Sequence, residues 1–100
     1  MKTMKHSELV NSWVSDVKKE WKDDPELESH NNDVYLYLPS KALAKDNEAA
    51  QIAFYEDGDI FFSIVEPPYY KYSVEKDVTE FQQVKSEVDK WNQKKAIAIN

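Results

Sequence analysis

Between Gln51 and Val65 the chain alternates so regularly around Asp57-Gly58 that few folds can accommodate it. Successive side chains of a strand point to opposite faces, so Ile52, Phe54, Ile60, Phe62 and Ile64 share one side while Ala53, Tyr55, Phe61, Ser63 and Val65 take the other. Asp57-Gly58 predicts a tight primed turn between two antiparallel strands, because such a turn needs positive φ angles that glycine adopts without steric cost. An apolar face this large must be buried, and a lone hairpin cannot bury it. The rest of the chain is expected to supply the cover.

Two segments have the spacing for that task. Leu9, Trp13, Val17 and Trp21 recur every fourth residue, with Val10 and Val14 widening the stripe, which predicts an amphipathic helix from Glu8 to Trp21. Ser7 is the expected N-cap, and Asp23-Asp24-Pro25 the stop, since the residue before proline is pushed out of the α region. Near the other end Val78, Phe81, Val84, Val88 and Trp91 keep helical spacing to about Gln93, opened by a capping box from Asp77 to Glu80. Lys94 and Lys95 suit the negative end of that helix dipole. Ala96 to Asn100 can fray, extend the helix or add a short strand.

The remaining segments read as strand and connector. Val34, Leu36 and Leu38 alternate with Tyr35 and Tyr37 until Pro39 ends the run, and Glu26 to Asp33 before it reads as a polar, acidic connector. Ser40 to Asp46 holds one or two helical turns capped by Ser40. Beyond Pro67-Pro68, Tyr70, Tyr72 and Val74 alternate with Tyr69, Lys71, Ser73 and Glu75, a short edge strand. Consecutive strands joined by short turns form an antiparallel meander, so the expectation is a single α+β domain over residues 1–100: three to four strands packed by an N-terminal and a C-terminal helix as a two-layer sandwich. A helix on each side of the sheet is the leading alternative.

Composition removes several classes of chemistry. With no cysteine and one glycine in 100 residues, the chain has no thiol nucleophile, thiolate metal site or glycine-rich phosphate loop. No apolar run reaches the roughly 20 residues of a membrane span, and Met1 to Ser7 lack the apolar core of a signal peptide, which together predict a cytoplasmic protein with no membrane partner. All 13 basic residues are lysine, and the net charge is −6. Without the arginines that grip phosphate and guanine, duplex nucleic acid is not an expected partner. The acid is concentrated: residues 20–33 hold six carboxylates against Lys22, and residues 46–66 hold six with no lysine, leaving a net +5 for the remainder.

What stands out is the second sheet face, where alternation places Tyr35, Tyr37, Tyr55, Phe61, Val65 and Tyr69 in positions that a water-facing sheet would fill with polar residues. Three roles compete for it. The first helix can pack there, a partner protein or second copy of the chain can dock there, or planar rings of a ligand or single strand can stack there. The candidate interaction face is thus Tyr35, Tyr37, Tyr55, Phe61 and Tyr69. The candidate acidic surface is Asp23, Asp24, Glu26, Glu28, Glu56, Asp57 and Asp59, suited to a basic protein partner.

No catalytic residue, cofactor or metal site is expected. His6 and His30 lack a neighbouring nucleophile at an interpretable spacing, and Asp23, Asp24, Glu26, Glu28 and His30 do not follow the ligand pattern of a calcium loop. Pro67-Pro68-Tyr69-Tyr70 satisfies the Pro-Pro-x-Tyr pattern of WW-module ligands, but two prolines between strands more simply turn the chain. The expectation is a non-enzymatic protein-interaction module or homodimer. A ligand or single-strand binder using the same aromatic face is the alternative.

Overall fold

The computed structural model describes residues 5–43, 49–66 and 71–99, with the backbone alone over 95–99. The first element is helix α1, His6–Trp21. Its stripe is the expected one, with Val10, Trp13 and Val17 buried. Lys5 rather than Ser7 is the N-cap, and no side chain caps the helix, so Ser7 lies inside it. At the other end Lys22 takes the left-handed conformation at φ 57° and donates its N–H to the Lys18 carbonyl at 2.9 Å. A left-handed lysine costs about 1–2 kcal/mol, and Pro25 stands just beyond to keep the helix from continuing.

Five strands follow, one more than the upper expectation. They are β1 (Glu26–His30), β2 (Asp33–Tyr37), β3 (Ala49–Phe54), β4 (Ile60–Glu66) and β5 (Lys71–Val78), in the spatial order β1-β2-β3-β4-β5 with every neighbour antiparallel. The acidic stretch read as a connector is β1. All five of its residues are exposed, so it carries no burial pattern to betray it, and Asn31-Asn32 joins it to β2 with Asn31 at φ 56°. Asparagine visits that region more readily than most residues because its short amide can bond locally.

The β3–β4 connection also differs from a two-residue turn. Tyr55 N–H donates to the Asp59 carbonyl at 2.9 Å and Gly58 N–H to the Tyr55 carbonyl at 3.0 Å, so Glu56, Asp57 and Gly58 form a three-residue loop with only Gly58 left-handed, at φ 101°. That is a type I turn closed by a glycine bulge. Register is unaffected: Phe54 pairs with Ile60 and Ile52 with Phe62. Between β2 and β3, Ser40–Ala42 forms a single turn of 3₁₀ helix, the lower of the one or two turns expected there. Pro39, not Ser40, precedes it without a side-chain cap, and residues 44–46 lie outside the described residues.

The second helix, α2, is Phe81–Ile99. Asp77 and Val78, expected as its cap and first turn, belong to β5. The cap comes from Gln83, whose side-chain oxygen accepts from the N–H groups of Thr79 at 2.6 Å and Glu80 at 2.9 Å. A glutamine at the third helical position thus bonds back to the amides just before the helix, while Asp77 is held in β5 opposite Phe61. Residues 96–99 continue this helix rather than fraying or forming a strand, and Asn100 lies outside the described residues.

Both helices pack on the same face. Val10, Trp13, Val17, Val84, Val88 and Trp91 join Leu36, Ile52, Phe54, Phe62 and Ile64 in one core, which excludes a helix on each side among the described residues. Trp13 meets the edge of Phe54 at 5.4 Å between ring centres and of Phe81 at 5.8 Å, and Trp21 meets Phe81 at 5.8 Å. His6 and Asn92 bond across the layers, to the Phe54 carbonyl at 3.0 Å and the Ala42 carbonyl at 2.9 Å. Among the described residues no helix lies over the opposite face of the sheet.

Candidate interaction face

Antiparallel register sets the open face in transverse rows. One row runs Glu28, Tyr35, Ala53, Phe61, Asp77 from β1 to β5, and the next runs Glu26, Tyr37, Gln51, Ser63, Glu75. Each row therefore has a carboxylate at both ends and begins inward with a tyrosine. Aromatic Tyr35 and Phe61 flank Ala53, which is only 1% exposed although no helix covers it. Among the described residues its cross-strand neighbours Tyr35 and Phe61 shield it, so the strip behaves as a packed apolar surface rather than isolated rings.

A third row contains a residue the alternation missed. Strict alternation gives Tyr72 the same face as Val74, which pairs with Ile64 on the core side. A register shift between Ile64 and Val65 leaves Ser73 as the extra residue and sets Tyr72 opposite Val65 on the open face, where it is 55% exposed. One inserted residue reverses every facing beyond it, and no local sequence signal announces such a bulge. Tyr69, the fifth aromatic expected here, and the Pro-Pro-x-Tyr stretch lie outside the described residues.

Hydrogen bonding ties the rim to the rings. Tyr37 donates its hydroxyl to Glu28, the diagonal neighbour on β1, and Glu28 also contacts the His30 ring. His30 in turn stands edge-on to Tyr35 at 5.6 Å. Partial burial raises the Tyr37 hydroxyl above its ordinary pKa of 10.0, and the charge and hydrogen bond of Glu28 add to the shift. Burial likewise leads the upward shift at Tyr55, followed by Tyr35, Asp33 and Asp77. Both phenols stay neutral hydrogen-bond donors at any physiological pH.

The acidic candidates divide. Glu26 and Glu28 form the β1 rim. Glu56 and Asp57 sit with Asp33 and Tyr55 around an open depression at the hairpin end, where Asp33 accepts the Glu56 N–H at 2.8 Å and Asp57 that of Asp59 at 3.0 Å. Those two carboxylates serve the turns, as short acidic side chains commonly do. Asp23 and Asp24 stand apart on the loop after α1, with Asp24 paired to Lys18 at 3.3 Å. Glu75 and Asp77, not among the residues expected on the acidic surface, complete the rim on β5. Among the described residues no three His, Asp or Glu side chains group as a cation site, and no described helix is long and apolar enough to cross a membrane.

No protein-family model, curated protein or solved structure matches this chain. The face must be read on its own geometry.

Charge is divided between the two layers. The open-face positions of the five strands carry Glu26, Glu28, Asp33, Glu75 and Asp77 and no lysine. On the helical layer, Lys76 and Lys90 bracket Glu87 at 3.3 and 3.5 Å, and Lys85 pairs with Asp89 at 3.0 Å and Glu20 at 4.0 Å. The hydrogen bond to Asp89 raises the Lys85 pKa, with the charges of Asp89 and Glu20 behind it. These exposed pairs add little stability. Their effect is to place mixed charge on one side and unrelieved negative charge on the other.

Proposed function

We propose that this protein is a non-enzymatic interaction module that docks a basic protein partner on its open sheet face. One observation carries the reading: an aromatic strip of Tyr35, Tyr37, Phe61 and Tyr72 is bordered on both edges by carboxylates and left uncovered by either helix. Tyrosines give contact area at low entropic cost, and carboxylates beside them favour lysine or arginine, which also stack on aromatic faces. Two copies meeting face to face would oppose five carboxylates with five more, so a homodimer through this surface is disfavoured. The same charges disfavour a polyphosphate strand.

The test is a titration with a lysine-rich polypeptide, followed by tyrosine fluorescence, with polyglutamate as the control. Binding is expected for the basic polymer alone, and should weaken steeply as salt shortens the Debye length towards about 8 Å and below. Tyr37→Ala and Phe61→Ala together should weaken it at least about tenfold, or about 1.4 kcal/mol, with the circular dichroism spectrum unchanged. Equal binding by the folded double variant, or no binding at low salt, would remove the reading.

A further inference from the structure

Among the described residues, the strand with no burial pattern also has no neighbour on its outer side. The Leu38 N–H donates to the Ala50 carbonyl at 3.0 Å, so the even-numbered residues of β2 direct their backbone groups to β3 and the odd-numbered ones direct theirs to β1. Tyr35 and Tyr37 therefore bond Glu28 and Glu26, their partners in register. Alternation along β1 then turns the N–H and C=O of Leu27 and Ser29 outward, away from the sheet. Leu27 is 50% exposed on the helix side, and Glu26 and Glu28 are exposed on the aromatic side.

We infer that the free edge of β1 takes up an extended basic segment of a partner protein as a further strand, its cationic side chains set against Glu26 and Glu28 and its alternate apolar side chains against Leu27. The inference rests on the proposed function and specifies how that partner is held: main-chain bonds to Leu27 and Ser29 supply the grip, and the alternating side chains supply selection. Charge complementarity chooses the occupant. A second copy of β1 laid antiparallel would oppose glutamates to glutamates, an arrangement that destabilises a strand pair. The single sign of charge that keeps copies of this edge apart is the feature that admits a basic strand. The other edge offers no such match, because β5 mixes Lys71 and Lys76 with Glu75 and Asp77 and is bent by its bulge.

The experiment uses the full chain, isotopically labelled, and a capped peptide alternating lysine with valine. The Leu27 and Ser29 amides should exchange with solvent at least tenfold more slowly in its presence. Affinity should fall at least tenfold for a peptide N-methylated on alternate residues, and again for Ser29→Pro, whose lost N–H faces outward and so removes no bond of the sheet. A peptide with glutamate in place of lysine should not bind. Binding unchanged by N-methylation and by Ser29→Pro but lost in Phe61→Ala would overturn strand addition and leave docking on the face intact. Binding that needs the edge but ignores Phe61→Ala and Tyr37→Ala would uphold strand addition and remove the face. Absence of binding to the folded protein, or a dimer of the protein alone that Ser29→Pro abolishes, would overturn the inference.

Discussion

Phe61 and Phe62 are adjacent in sequence and differ in almost nothing but the side of the sheet they face, which makes them a direct measure of whether the open face is open. Phe62 is fully buried against the helices and pairs with Ile52 in the centre of the core. Its replacement by alanine combines lost burial with an unfilled cavity, a cost of about 3–5 kcal/mol. That is a large share of the roughly 5–15 kcal/mol that holds an ordinary domain together. Phe61 is only partly buried, by neighbours on its own face. With full burial of such a ring contributing about 1.5–3 kcal/mol, Phe61→Ala should cost about 1 kcal/mol and open no cavity. For a domain of this size, each kcal/mol lowers Tm by about 4–8 °C. Phe61→Ala should melt one such step below the parent, and Phe62→Ala several steps below or unfolded at the outset. Urea titrations followed by far-ultraviolet circular dichroism would compare the two, with an unchanged slope confirming that only stability moved. If Phe61→Ala proves as damaging as Phe62→Ala, the aromatic face is itself a core, and docking on it is untenable.

Two further outcomes follow from local geometry and ionisation. Gly58→Ala meets no atom within 4 Å yet sits at φ 101°, so it should cost about 1–2 kcal/mol by backbone strain alone, seen as a lower urea midpoint with hairpin register unchanged. Tyr37 and Tyr55 have raised pKa values when folded, so their contribution to stability is complete below the ordinary 10.0 and is lost as pH rises through the folded values. An ultraviolet titration should show tyrosinate forming late, with that late fraction reduced in Tyr37→Phe and in Tyr55→Phe. Uniform ionisation at the ordinary value would contradict the partial burial and the Glu28 bond.

The sequence spoke clearly where burial is one-sided. Ile52, Phe54, Ile60, Phe62 and Ile64 line up because water is excluded from one side of them, and Leu9 to Trp21 follow a helical period for the same reason. Glu26 to His30 escaped because a strand exposed on both faces has no alternation to display. Its signal was instead Asn31-Asn32, two residues tolerant of left-handed backbone set directly before the alternation of Val34 to Leu38. The opening of α2 was misplaced for a related reason: Asp77 and Gln83 are both plausible caps in one dimension, and only the length of β5 decides between them. Tyr72 depended on a bulge, and the rim on pairing between distant strands. Those are properties of register, which a single strand does not encode.

The order in which this chain is made gives the packing of α1 another meaning. Each strand of the meander finds its neighbour as soon as the next few residues emerge, so the sheet can grow in step with synthesis. The first helix cannot. Trp13 rests on Phe54 and Phe81, and Trp21 on Phe81, so the ring contacts that seat α1 are incomplete until Phe81 has left the ribosome. Helix α1, made before the sheet it packs on, is thus seated only after that sheet has formed, and until then its tryptophans are the surface that a nascent-chain chaperone would meet.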